Sequence, residues 1–364
     1  MMTVFSKSGR KTEIKYIRVS FPDFVEHEVI GNITAGKLTE NQETSLKVGG
    51  TLTFEGAANL GLDDMVRIYS INDCEGEHAV VCHATMAVAL PSVSLSETNR
   101  MGDAQLYSVL KFMQDRLSGD MTVLSAGQNV VDFAKSLIKD CHLAVVADAS
   151  DYLARTDHVW DAGVDYLSIV NDCLDIAGFN AATVDGYGNV VLHRFQDVSS
   201  RKPVATLSDT QSGDGFIIGG REIKNEHDKS SIPNVSYVVI TPAEQDATPL
   251  VGIARNDDAY SPYSTTSRGR EITIRSEYSE LSERPEAKAL QLLKNAMRVL
   301  DKYELEMLFY PLNLGDVVSI EYERLGIEAQ AALVKRELTL NHQLVCSCLF
   351  RRSVDYFKER SAND

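Results

Sequence analysis

Apolar and polar residues alternate over several stretches of the chain, and two of these stretches share a text. Leu60–Ile68 reads LGLDDMVRI and Leu312–Ile320 reads LNLGDVVSI, so Leu-x-Leu-x-Asp-x-Val-x-Ile occurs twice in register. The shared pattern joins Leu60, Leu62, Asp64, Val66 and Ile68 to Leu312, Leu314, Asp316, Val318 and Ile320. Asp64 and Asp316 stand where a carboxylate can bond turn backbone. The Val and Ile that follow alternate onto one face of a strand. Apolar alternation precedes each corner, at Leu52 and Phe54 and again at Leu305, Met307 and Phe309. It also follows each, over Ala79–Leu90 and Ala332–Leu340. The order strand, corner, strand, loop, strand therefore recurs and predicts two similar β-barrels. Such a corner also arises in unrelated barrels, because it solves a common turn problem.

Between the two copies the period changes. Val130, Ala134, Leu137, Ile138 and Cys141 fall on one face at helical spacing. Leu167, Val170, Leu174 and Ala177 do the same, with Asp165, Ser168, Asp172 and Asp175 opposite and Gly178 at the expected C-terminus. Two strands around an Asp185–Asn189 turn complete a compact α+β domain over 100–203. Further on, Asn234–Thr241 reads as a strand, and the Ser-, Asp- and Gly-rich text from Pro242 to Arg270 reads as an exposed loop or small insertion. A helix follows, with Ser282 as N-cap, Pro285 in the first turn and a stripe of Ala289, Leu293, Ala296 and Leu300.

Composition adjusts this picture only a little. The length of 364 residues predicts two or three domains, and the net charge of −16 argues against gripping nucleic acid by its phosphates. An acidic wall would instead let DNA pass without holding it. No apolar run approaches the roughly 18 residues of a membrane span, and the start lacks the apolar core of a signal peptide, so folding in cytoplasm is expected. Six scattered cysteines do not form a disulfide framework. Cys346 and Cys348 share a face of their strand.

Candidate chemistry is sparse. His78, Cys82 and His83 lie close together, but on a strand residues 82 and 83 face opposite ways, and no second cluster completes a metal site. The Asp185–Asn189 segment lacks the spaced acids of a calcium loop. Asp63–Asp64 and Asp257–Asp258 read as solvated turns. No nucleophile elbow, phosphate loop or zinc-protease helix is written. No catalytic, cofactor-binding or metal-binding residues are therefore expected. Trp160, the lone tryptophan, precedes the second helix and suits an anchor for its entry or an interface contact.

Taken in order, these pieces resemble the baseplate or tail-tip hub proteins of long-tailed bacteriophages and related contractile injection systems. The resemblance runs over about residues 25–350. It is carried by the text from Ile30 to Tyr69, by SAGQNVVDFAKSLI, by the Trp160–Gly163–Leu167–Gly178 helix and hairpin, and by IPNVSYVVI and LNLGDVVSI. It implies a β-rich α+β chain with two barrels like the tail-tube subunit. The first would span 1–99, the inserted α+β domain 100–203, and the second barrel 204–241 and 282–352. A loop insertion would occupy 242–281 and a C-terminal tail 353–364. The resemblance further implies a non-enzymatic homotrimer in the virion tail, assembled in the host cytoplasm. It would meet the tail tube or a distal tail protein on one face and a central spike, fibre or tip protein on the other. A tape-measure protein is a further possible partner, and DNA would cross the lumen without specific binding. Three chains with two barrels each would match a six-fold tube while keeping three-fold symmetry. A carbohydrate-binding tail protein is the alternative, and a glycosidase with paired carboxylates a more distant one.

Overall fold

The computed structural model describes residues 3–6, 9–55, 64–95, 100–196, 201–210, 212–222, 231–241, 248–297 and 301–352. Leu60 and Leu62 of the first corner, Asp63, Leu300 and the tail 353–364 lie outside them. A short helix α1 (Thr3–Ser6) places Phe5 in the core. Seven strands follow: β1 (Lys11–Val19), β2 (Glu26–Val29), β3 (Ile33–Asn41), β4 (Val48–Glu55), β5 (Met65–Cys74), β6 (Glu77–Leu95) and β7 (Arg100–Ser108). Their order in the sheet is β3-β4-β7-β6-β5-β1-β2.

The inserted α+β domain comprises α2 (Leu110–Asp115), β8 (Thr122–Leu124), α3 (Val130–Asp140), β9 (Val145–Ala147), β10 (His158–Trp160), α4 (Tyr166–Ile176), β11 (Thr183–Val184) and β12 (Val190–Leu192). Helices α3 and α4 start where polar side chains cap them. Asn129 accepts from the Asp132 N–H and Asp165 from the Ser168 N–H. Helix α4 ends at Gly178, whose positive φ of 74° returns the Phe179 N–H to the Leu174 carbonyl. Val130, Ala134, Leu137 and Ile138 of α3 and Leu167, Val170 and Leu174 of α4 are buried in a core that also takes in Val19 and Met65 of the first sheet. The domain is thus fused to the first sheet by shared apolar packing.

The chain then returns to the large sheet with β13 (Ala205–Ser208) and β14 (Gly215–Glu222), and leaves it again. Strands β15 (Val235–Ile240), β16 (Leu250–Arg255) and β17 (Thr273–Tyr278), with α5 (Thr265–Arg268) and α6 (Pro285–Met297), build a separate module. Its sheet has the order β16-β15-β17, and α6 covers one face around Ala289, Leu293 and Met297. This differs from the division expected from sequence. The 242–281 segment carries two strands, and β15 and α6, expected in the second barrel, join that segment. The reason is register: β15 pairs residue for residue with β16 and β17, which bury Val238 and Ile240 under the helix. Helix α6 begins at Pro285, and the N–H of Ser282 goes to the Ile176 carbonyl.

The last strands are β18 (Asp301–Leu308), β19 (Val317–Tyr322), β20 (Ile327–Thr339) and β21 (Val345–Arg352). With β13 and β14 they close a barrel in the order β19-β13-β14-β18-β21-β20, sealed by pairing of β19 with β20. The two strand sets correspond. Matching β3, β4, β7, β6 and β5 to β14, β18, β21, β20 and β19 reproduces the same sheet order with antiparallel pairing throughout. Strand β1 takes the position of β13, but β1 runs antiparallel to β5 whereas β13 runs parallel to β19. The first set has no closing ladder among the described residues. Its β3 pairs instead with β20, so the two sets form one continuous sheet over one apolar core.

Candidate assembly site

The repeated corner opens equivalent strands. The Asp64 carbonyl accepts from the Val88 N–H on β6 at 3.1 Å, and the Asp316 carbonyl accepts from the Leu333 N–H on β20 at 3.0 Å. Val66, Ile68, Val318 and Ile320 are each fully buried in the shared core. Leu312 is buried there too, and Leu314 packs against it. The Asp316 carboxylate accepts the Asn313 N–H at 2.7 Å and so closes its own turn, while Gly315 supplies the positive φ of 87°. The Asp64 carboxylate faces Arg18 at 3.8 Å. The Asp316 side chain therefore organises the backbone of its corner, whereas the described side-chain contact of Asp64 is the ion pair with Arg18.

The seam between the two strand sets carries a buried ion pair beside buried Leu38 and Leu338. Arg336 of β20 pairs with Glu40 of β3 at 2.6 Å, and its Nη1 donates to the Leu312 carbonyl at 3.0 Å. Burial disfavours the charged guanidinium most, but Glu40, Cys348 and Cys346 together outweigh it and hold the Arg336 pKa above its ordinary value. Lys37 and Glu337 form a second, more exposed pair across the same seam. The His342 ring meets the Thr12 carbonyl at 3.1 Å, and the Leu340 N–H reaches the Gly36 carbonyl at 2.9 Å. The end of β20 thereby links β3 and β1 of the first set.

His83 sits at this seam, 2.8 Å from Ser70 Oγ and edge-on to Phe309. Burial, then the charges of Arg336 and Arg10, push its pKa down to about 3. The unfolded chain takes up this proton near the ordinary imidazole pKa of about 6.5, whereas the folded chain does not. Stability from His83 is therefore complete above about pH 6.5 and declines as pH falls toward 3, by at most about 1.4 kcal/mol per pH unit. Thermal melts at pH 7 and pH 5 should show a smaller loss in His83→Gln than in the native chain. An equal loss in both would refute this assignment.

The inserted domain is pinned to the first sheet by Arg67 of β5. Its Nε donates to Thr85, Nη1 to Glu26 and Nη2 to the Tyr187 carbonyl. Cys82 and Thr85 both donate to the Gly186 carbonyl, at 3.0 and 2.9 Å. Trp160 stacks on Phe133 at 6.1 Å and donates through Nε1 to Asp172. It thus ties β10 to both helices. Gly163, at φ 90°, donates to the Ser118 carbonyl, and Leu167 is buried.

The sequence candidates for chemistry disperse. His78 turns outward to Asp73, Cys82 to Gly186 and His83 inward to Ser70. Among the described residues no cluster of potential ligands could hold a metal. Asp185 uses both carboxylate oxygens on Tyr187 and Asn189 of its own turn. Ser279, His158 and Glu280 lie in a row that superficially repeats a hydrolase relay. His158 Nε2 stands 3.3 Å from Glu280 Oε2 without a hydrogen bond. The carboxylate is already taken by Tyr152, Arg155 and Thr156. That row is a joint, and sequence reasoning missed it because His158 lies far from Ser279 and Glu280 in the chain.

Two uncovered apolar stripes also escaped sequence reading. Leu250, Val251 and Ile253 project from edge strand β16, and Val123 and Val159 face outward side by side on β8 and β10. Exposed apolar groups gathered on a sheet edge mark surfaces suited to contact.

The sequence matches no protein-family model, and no curated protein sequence matches it. Solved structures do match the fold. A tail protein from Neisseria meningitidis MC58 superposes with a TM-score of 0.67 at 13% identity, over 93% of this chain and 96% of that one. The 43 kDa tail protein of prophage MuSo2 from Shewanella oneidensis gives 0.64 at 11% identity, over 94% and 99%. A chain of the Francisella PdpA-VgrG complex gives 0.54 at 10% identity, over 96% of this chain and 53% of that one. The likeness to the two tail proteins thus runs over nearly the full length of both chains, and the fold of this chain is that of tail proteins of this kind.

Proposed function

We propose that the chain is a structural tail component, a hub whose three copies form a ring between a six-fold tail tube and a three-fold spike or fibre. The observation that carries this reading is the recurrence of one strand order in both halves of the chain. Two similar modules per chain and three chains give six modules around one axis, with three-fold symmetry retained for the opposite face. Duplication of one ancestral module, with the repeated corner as its remnant, explains why Val66 and Val318 occupy equivalent strands. The tube or a distal tail protein and a central tip protein are the partners this geometry suits, and a tape-measure protein is compatible with it. DNA would cross a lumen that the net charge of −16 keeps from binding phosphate. The role is mechanical rather than catalytic, and its place is the virion tail. A native mass near 121 kDa, three copies of the 40.2 kDa chain, is expected for the purified assembly. A chain that stays monomeric even beside its tube partner would defeat the reading.

A second reading, the hub of a contractile injection system or bacteriocin particle, draws on the likeness to the VgrG-complex chain, over 53% of that chain at a TM-score of 0.54. The contents of purified particles separate the two, since only a phage tail would be attached to DNA.

A further inference from the structure

We propose that the module built from β15, β16, β17, α5 and α6 is a dockable arm, held on the inserted domain by a polar two-pronged joint and able to separate from it as a folded unit. This goes beyond the tail role and does not depend on it. The contrast between the joints carries the argument. The inserted domain shares an apolar core with the first sheet, through Val19 and Met65. The arm's own core, around Val238, Ile240, Leu293 and Met297, includes no residue of either neighbour. The described contacts that hold the arm to the inserted domain are polar.

One prong is an anion. Glu280, 5% exposed, enters the inserted domain and accepts from the Arg155 N–H at 3.0 Å, the Thr156 N–H at 2.9 Å, the Thr156 hydroxyl at 2.9 Å and the Tyr152 hydroxyl at 3.0 Å. The other prong is a cation. Lys288 is 3% exposed and donates to Asp175 at 2.6 Å. Between them Ser279 meets His158, and the Ser282 N–H reaches the Ile176 carbonyl.

Burying a carboxylate and an ammonium costs several kcal/mol each in desolvation, and good hydrogen bonds return a similar amount. Separation would give both ions back to water and expose little apolar surface. Such an interface resembles a transient one between domains, for which relative motion is the ordinary expectation. The arm's own sheet and helix keep their core when it leaves. It would therefore open as a rigid unit, below the free energy of global unfolding. In an assembling particle this would let one chain reposition the apolar edge of β16 without disturbing the barrel.

Hydrogen exchange of the full-length chain tests the proposal. The amides of Arg155, Thr156 and Ser282 should exchange together, at least about tenfold faster than those of β20, while β15 stays protected. Glu280→Gln keeps the size of the prong and removes its charge, and it should raise exchange at those three amides by a further factor of about ten or more. Lys288→Met should do the same at Ser282, with β20 unchanged. Joint amides that exchange only at the rate of β20, in the native chain and both variants, would overturn the proposal. Loss of protection in β15 together with the joint would also overturn it, since the arm would then be unfolding rather than undocking.

Discussion

Replacing Glu40 with alanine is expected to destabilise the protein by about 3–5 kcal/mol, because it strands the buried Arg336 guanidinium. Arg336 lies at the seam of the two strand sets, 2.6 Å from Glu40, with Phe309 at 5.1 Å beneath it. The carbonyls of Leu312 and Tyr310 cannot neutralise a full charge on their own. A fall in melting temperature on the order of 10 °C should follow. The paired change Glu40→Leu with Arg336→Met should recover much of the loss, since it removes both charges and leaves apolar groups in their place. If Glu40→Ala melts with the native protein, the seam is not held as described.

Gly186→Ala is expected to have an effect of comparable size, about 3 kcal/mol, at a different joint. A Cβ at Gly186 would stand 2.1 Å from the Cys82 carbonyl oxygen and 2.8 Å from its carbon. Backbone faces backbone there, so no side chain can swing away. The hairpin must lift off β6, and the donors Cys82 and Thr85 lose their shared acceptor. Arg67 loses the Tyr187 carbonyl in the same movement. Gly119→Ala is the control, because a Cβ there meets nothing within 4 Å. Denaturant melts of the two variants should differ by the full amount. A Gly186→Ala protein as stable as the control would show that the hairpin is not seated on β6.

The chain's text reveals periodicity far better than it reveals partnership. Helices α3 and α4 are plain in the sequence because Val130, Ala134 and Ile138, and Leu167, Val170 and Leu174, recur at helical spacing between polar caps. The barrel strands are plain at Val66–Ile68 and Val318–Ile320, where alternation meets a turn-forming Asp. Of the arm, only β15 and α6 were legible, and that they join β16 and β17 in one module was not. Its strand β16, Leu250–Arg255, follows a polar run and is too short to announce a sheet. Its pairing with β15 and β17 is a non-local choice that no local pattern encodes. The same holds for β1 and β13, which reach the same sheet position in opposite directions. The charged groups that hold the seam and the joints within the chain were also hidden. Glu280, Lys288, Arg67 and Arg336 look like ordinary surface charges in the sequence, and only the fold buries them against partners more than 20 residues away or on another module.

Images of the purified particle, averaged without imposed symmetry, test the central claim most directly. The account predicts a closed ring of six barrel-sized lobes in which alternate lobes are alike, so that the density repeats every third of a turn. A ring with a different number of lobes, or lobes that pair off about a two-fold axis, would contradict it.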